Sequence, residues 1–130
     1  MSGKSAFRTP LSRVRYLGSA HSGTIHFWRQ RLTSVALIPL TIAFVFIVIA
    51  LTRSNHATAQ QTLGSPVIAI IMLLFIISSV YHMWLGMQVI IEDYVHDEVA
   101  KLISLMANTF FSFAVGLAAV FAILKLSFGL

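Results

Sequence analysis

One histidine and one acid–phenol pair are the residues of this sequence best placed to do chemistry. His82 lies in a long apolar run, and Asp93-Tyr94 follow it by three turns if the run is helical. An ionisable side chain at membrane depth is costly, so it marks a functional site by default. A neutral imidazole there could ligate a haem iron, relay protons, or only hydrogen-bond another helix, and the spacing leaves all three open. A phenol beside a carboxylate at the membrane surface could donate a hydrogen bond to a quinone carbonyl.

The composition indicates a membrane protein. Of the 130 residues, 58% are hydrophobic and only 10% are charged, which is more apolar surface than a soluble domain of this size can hide. The absence of cysteine excludes disulfides, thiolate metal sites and iron–sulfur ligation from this chain. The net charge of +5 comes mostly from basic residues before the first apolar run, which is a topology signal. We therefore expect the lipid bilayer as the environment and no nucleic acid as a partner.

Three stretches are long enough to cross a bilayer as helices, which takes about 20 apolar residues. We predict spans at about 32–52, 66–91 and 102–125, in a single membrane domain over 1–130 that begins with a basic N-terminal segment, 1–31. Each span should be helical because lipid cannot satisfy backbone polar groups. Pro39 should bend the first helix, and Pro66 suits the first turn of the second. The predicted fold class is an all-α membrane protein with three transmembrane helices, packing with a partner anchor into a helical bundle.

The charge distribution predicts the orientation of these spans. Seven of the nine Lys and Arg residues lie in the N-terminal segment and the loop between the second and third spans, whereas Arg53 and Lys125 lie on the other side. The positive-inside rule therefore puts the N-terminus inside and the C-terminus outside. All four acids fall in the same inside loop: Glu92, Asp93, Asp97 and Glu98. The N-terminal segment has no clear amphipathic run of a transit peptide, so we expect a bacterial inner membrane rather than a mitochondrial one.

Helical geometry gathers several of these residues on one face of the second span: Ser78, His82, Gly86 and Asp93. Trp84 points the opposite way, toward lipid or a neighbouring helix. Gly86, one turn from His82, leaves a notch that a flat macrocycle or a second helix could fill. Measured along this helix from Asp93, His82 is expected close to the bilayer midplane.

A haem at His82 would require a second chain. A low-spin b-type haem usually takes two axial ligands, and no other histidine of this chain is expected at that depth. Arg31, at the inside end of the first span, could pair a haem propionate in bidentate fashion. Ordinary snorkelling to the interface would also account for Arg31.

These residues carry a resemblance to a known family. The run His82-Met83-Trp84-Leu85-Gly86-Met87, with Asp93-Tyr94 beyond it, resembles the hydrophobic membrane-anchor subunit of succinate dehydrogenase (complex II). The N-terminal run 18–23, then His26-Phe27-Trp28 and 30–33, is similar to the alphaproteobacterial branch. Three spans and an inside N-terminus fit the same family.

The resemblance implies a subunit of succinate:quinone oxidoreductase that passes electrons from succinate to the quinone pool. It implies three partners, which are a second membrane-anchor subunit, an iron–sulfur subunit and a flavoprotein subunit. Flavin and iron–sulfur clusters would belong to the partners only, and this chain would carry no complete active site. One haem b would be shared with the second anchor, with His82 as one axial ligand and Arg31 at a propionate. Tyr94 would hydrogen-bond ubiquinone, and Asp93 beside it would help to hold a partner arginine.

Three alternatives remain open beside this interpretation. A small transporter or channel subunit would use His82 as a proton or ion site, but it needs more polar residues than the first and third spans offer. A structural anchor would use His82 only as a hydrogen-bonding residue. A fumarate reductase anchor would run the same chemistry backwards. No role is assigned to His21, His26, Arg29 or His96.

Overall fold

The computed structural model describes residues 22–130 as a bundle of helices. In chain order these are α1 (Ser22–Thr52), α2 (His56–Leu63), α3 (Pro66–Tyr94) and α4 (Glu98–Ser127), with no strand in this part of the chain. Three of them, α1, α3 and α4, are long and apolar enough to cross a membrane. The all-α fold class and the three predicted spans are therefore confirmed.

The ends of α3 and α4 follow from local sequence signals. Pro66 occupies the first turn of α3, where its missing N–H costs no helical hydrogen bond. Asp97 caps α4, since its side chain accepts a hydrogen bond from the Ala100 backbone N–H at 2.7 Å. One of the four clustered acids therefore has a local structural role. Pro39 lies inside α1, which continues to Thr52, and the bend there stays a prediction.

Two elements differ from the sequence prediction. Helix α1 begins at Ser22, ten residues before the predicted span. Charged residues limit which part of a helix can lie in lipid, but they do not prevent the helix from starting before that part. The loop between the first two spans contains α2, whose N-cap Asn55 accepts from the Thr58 backbone N–H at 2.9 Å. Its last residue, Leu63, is 3% exposed and packs against Met72 and Ile123. A search for long apolar runs does not detect such a short polar helix.

Helix α3 is central and packs against both α1 and α4. Polar bonds hold α3 to α4: Asn108 Nδ2 donates to the Trp84 carbonyl oxygen at 3.1 Å, and Trp84 Nε1 donates to Thr109 Oγ1 at 3.1 Å. Trp84 thus points to a neighbouring helix, one of the two predicted environments. The helices also approach closely at Gly116, where a Cβ would stand 3.2 Å from Val80 Cγ1.

The pairing of α1 with α3 is apolar in the half nearer the C-terminal end of α1. Phe44 stacks on Phe75 with ring centroids 4.3 Å apart. The most hydrophobic part of α1 contains no buried residue, so its remaining faces are open to lipid or another chain. Exposed aliphatic and aromatic side chains line those faces, among them Ile38, Ile42 and Phe46.

Candidate functional site

The half of the α1–α3 contact nearer the N-terminal end of α1 is polar and contains His82. The Nδ1 atom of His82 lies 3.0 Å from the Thr33 hydroxyl oxygen across the interface. Nearer the C-terminal end of α3, Gln88 Oε1 lies 3.3 Å from His26 Nε2. Between these two contacts lies Gln30. We call this group the polar seam, and its members are His26, Gln30, Thr33, His82 and Gln88.

The notch at Gly86 is filled by a second helix within this chain. A Cβ at Gly86 would lie 3.6 Å from Gln30 Nε2, which is an ordinary van der Waals contact. Gln30 Oε1 is the one buried side-chain nitrogen or oxygen without a hydrogen-bond partner among the described residues. The sequence predicted either a flat macrocycle or a second helix in this notch, and in the structure the notch faces helix α1.

The contacts of the seam fix the register of α1 against α3. Thr33 lies level with His82, and His26 lies level with Gln88, so the two helices run antiparallel. Thr33 is the second residue of the charge-free stretch of α1. His82 therefore lies level with the start of that stretch, and its depth in the membrane stays a prediction.

The second ring nitrogen of His82 has no hydrogen-bond partner among the described residues. His82 Nε2 makes no hydrogen bond with residues 22–130, and it is not among the buried atoms of that region that lack a partner. A neutral imidazole held through one nitrogen, with the other open, is the donor that a haem iron takes. The described residues contain no group of three or more His, Cys, Asp or Glu side chains that could hold a metal by themselves. Within this part of the chain, His82 could offer one ligand to an iron.

Arg31 lies near the level of His82 but on another face of α1. It is exposed, and its guanidinium carbon lies 5.1 Å from the centroid of the Phe27 ring. Two residues along a helix turn through about 200°, so Arg31 points away from the direction of Thr33. Arg29, four residues before Thr33, differs from it by only about 40°. Of these two arginines, Arg29 is the one on the face that contacts His82.

Asp93 and Tyr94 occupy the last turn of α3, at the end of the bundle nearest Arg29 and Arg31. Both are exposed, and Tyr94 has 78% of its surface accessible. Glu92 and Asp93 oppose the dipole at this helix end, where negative charge costs about 0.3–1 kcal/mol each. The last turn of α3 contains no basic residue to offset them. The pair Asp93-Tyr94 is thus accessible to a partner chain or a substrate, three turns from His82.

A separate groove of about 460 Å³ lies between α3 and α4. Its lining is apolar and includes Val80, Tyr81, Trp84 and Gly116. None of the four predicted site residues lines it. The groove is therefore distinct from the site around His82.

His56 and His96 lie away from the polar seam, and of the five members of the seam only His82 was predicted as a site residue. His96 is exposed after α3, and His21 lies outside the described residues. Thr33 was not predicted as a partner of His82. The signal was present, since His26, Gln30 and Thr33 have spacings of four and three, which put them on one face of a helix.

Comparisons with known proteins agree with this architecture. A family model described as "Succinate dehydrogenase/Fumarate reductase transmembrane subunit" matches residues 5–123. A "Succinate dehydrogenase hydrophobic membrane anchor subunit" of Paracoccus denitrificans is 32% identical over 93% of this chain and 93% of its own length. A protein of the same name from Rickettsia bellii is 32% identical over 82% of this chain and 85% of its own.

A "Succinate dehydrogenase membrane anchor subunit" of Reclinomonas americana is 32% identical over 65% of this chain and 72% of its own length. No solved structure matches the chain. The family match covers nearly the whole chain, including His82, all of α1 and α3, and α4 as far as residue 123. The chain therefore belongs to the family of succinate dehydrogenase/fumarate reductase transmembrane subunits.

Proposed function

We propose that this chain is the membrane-anchor subunit of a succinate:quinone oxidoreductase in a bacterial inner membrane, with its N-terminus inside. The family match and the names of the relatives support the anchor role. The observation that supports the cofactor assignment is that His82 is held through Nδ1, whereas its Nε2 has no hydrogen-bond partner among residues 22–130. Its partners would be a second membrane-anchor subunit, an iron–sulfur subunit and a flavoprotein subunit.

The residues in and beside the polar seam fit a haem b shared with the second anchor. His82 would bind the iron through Nε2, and Arg31 would pair a propionate, with Arg29 as the competing cation. When bound, the haem supplies reversible one-electron chemistry. A second iron ligand would come from the partner anchor, since His26, the other histidine of the polar seam, contacts Gln88 through its Nε2.

Tyr94 and Asp93 would form part of the ubiquinone site. The exposed Tyr94 hydroxyl can donate a hydrogen bond to a quinone carbonyl oxygen at the membrane surface. That bond strengthens as negative charge develops on the oxygen during reduction. Asp93 would hold a partner arginine, which would also offset the unfavourable charge at the end of α3. Electrons would come from succinate through the partner subunits, so this chain contributes position and hydrogen bonds.

The transporter alternative is less well supported by the structure. Three of the few polar residues in the third span, Asn108, Thr109 and Ser112, take part in hydrogen bonds that hold α3 to α4 or connect neighbouring turns of α4. A fumarate reductase anchor would use the same residues in the opposite direction, and the family description includes both enzymes. The relatives described above carry the succinate dehydrogenase name, which favours succinate oxidation.

The test is the quinone reductase activity of the whole complex with Tyr94→Phe, beside Tyr81→Phe as the matched control. Tyr81 lies in the α3–α4 groove, and its change removes the same hydroxyl elsewhere on α3. Tyr94→Phe should lower succinate–ubiquinone activity about tenfold or more, since one hydrogen bond of about 1.4 kcal/mol corresponds to that factor. Succinate oxidation by an artificial acceptor should be unchanged. Equal quinone activity in the two variants would contradict the site.

A further inference from the structure

We propose that Thr33 is a positioning residue that fixes the tautomer and ring orientation of His82, so that Nε2 carries the lone pair. This inference rests on the proposed function, because it takes His82 to be the axial ligand. It adds a residue of α1, the first span, to the site.

The hydroxyl geometry determines which atom carries the proton. Thr33 Oγ1 lies 2.9 Å from the Arg29 carbonyl oxygen and 3.0 Å from the Gln30 carbonyl oxygen. Its single O–H must point at these carbonyls, because otherwise three oxygens would face one another with no proton between them. The hydroxyl oxygen is then left as an acceptor toward His82 Nδ1, 3.0 Å away.

His82 Nδ1 must therefore be the donor of this hydrogen bond. A neutral imidazole carries one ring proton, so protonation of Nδ1 leaves Nε2 as the unprotonated ligand atom. Metal-binding histidines are generally held in this way, by an acceptor for the ring nitrogen that does not bind the metal.

Thr33 can also hold the plane of the ring. Its β-branched side chain has few rotamers, and the bond to the preceding turn selects one of them. The hydroxyl is thus a fixed acceptor on α1 for a ring on α3. Ser34, the next residue, offers a matched comparison: its hydroxyl bonds only the Gln30 carbonyl oxygen, at 2.8 Å, among the described residues.

Loss of this acceptor should make the imidazole a weaker electron donor to iron. The ferric state would lose stability relative to the ferrous state, so the haem midpoint potential should rise. Loss of such supporting bonds commonly weakens metal binding by about 10- to 100-fold, so haem retention should fall as well.

The experiment compares Thr33→Val, Thr33→Ser and Ser34→Ala in the purified whole complex. The readouts are the haem midpoint potential from a redox titration and the g-values of the oxidised haem in electron paramagnetic resonance. We expect Thr33→Val to raise the potential and change the g-values, and Thr33→Ser and Ser34→Ala to match the wild type. Unchanged potential and g-values in Thr33→Val would overturn the inference.

Two further measurements keep the inference separate from its premise. If the complex with Thr33→Val does not assemble, Thr33→Ala removes the same hydroxyl with less bulk. The haem midpoint potential and g-values of that variant then test the inference in the same way. A wild-type complex without haem, or one whose haem signals survive His82→Ala, would refute the proposed function itself. If His82→Ala changes the haem and Thr33→Val and Thr33→Ala do not, only the role of Thr33 is wrong.

Discussion

His82 is bound through only one ring nitrogen within residues 22–130. Its Nδ1 lies 3.0 Å from the Thr33 hydroxyl oxygen, and its Nε2 has no hydrogen-bond partner in that part of the chain. A histidine that only joined two helices would need no more than the first bond. The second nitrogen, which still needs a partner, is why we favour a ligand role over that structural role.

The two arginines near His82 give the first prediction. Arg31→Gln should lower the haem content of the purified complex about tenfold, because a charge-assisted bond of about 1.5–3 kcal/mol is lost. Arg29→Gln should have a smaller effect if the resemblance assigns the propionate contact correctly. The ratio of the haem absorbance to total protein measures both.

A larger loss of haem in Arg29→Gln than in Arg31→Gln would assign the propionate contact to Arg29 instead. Arg29 shares a face with Thr33, whereas Arg31 lies over Phe27 on another face. The sequence could not decide between the arginines, because the choice depends on which side of α1 contacts α3.

At the scale of helices, the close approach of α3 and α4 depends on Gly116. A Cβ there would lie 3.2 Å from Val80 Cγ1, so Gly116→Leu should destabilise the packing by about 1–3 kcal/mol through overpacking. Ala118 lies two residues further along α4 and is exposed. Ala118→Leu should change stability by less than about 0.5 kcal/mol. Thermal denaturation of the detergent-solubilised complex measures the difference, and equal transition temperatures would contradict this packing.

The helices also show what the sequence could predict. Long apolar stretches predicted the three spans because lipid imposes helical structure on any backbone that crosses it. The start of α1 and the presence of α2 depend instead on capping and on polar helix formers, which hydropathy ignores. The Thr33–His82 contact requires the register of two helices, which a single helix wheel cannot supply.

At the scale of the whole molecule, the chain is an open bundle. Its most hydrophobic helix contains no buried residue in its apolar part, and α3 alone contacts both neighbouring spans closely. Such a bundle needs lipid and a partner chain to cover its apolar faces. This agrees with a family of subunits that work within a larger enzyme complex.

The predicted orientation can be tested directly, because the chain has no cysteine. Thr58 on α2 and His96 after α3 are both exposed and lie at opposite ends of the bundle. With the N-terminus inside, an impermeant thiol reagent added to intact spheroplasts should label Thr58→Cys and not His96→Cys. Both should react after the membrane is permeabilised. Labelling of His96→Cys in intact cells would contradict the orientation.

The most direct test of the haem assignment is a reduced-minus-oxidised visible spectrum of the purified complex. We would record it for the wild type, for His82→Ala, and for His96→Ala as a control that changes an exposed histidine after α3. We expect a sharp b-type α-band in the wild type and in His96→Ala, and its loss or shift in His82→Ala. An assembled wild-type complex without this band, or an unchanged band in His82→Ala, would contradict the assignment of His82 as a haem ligand.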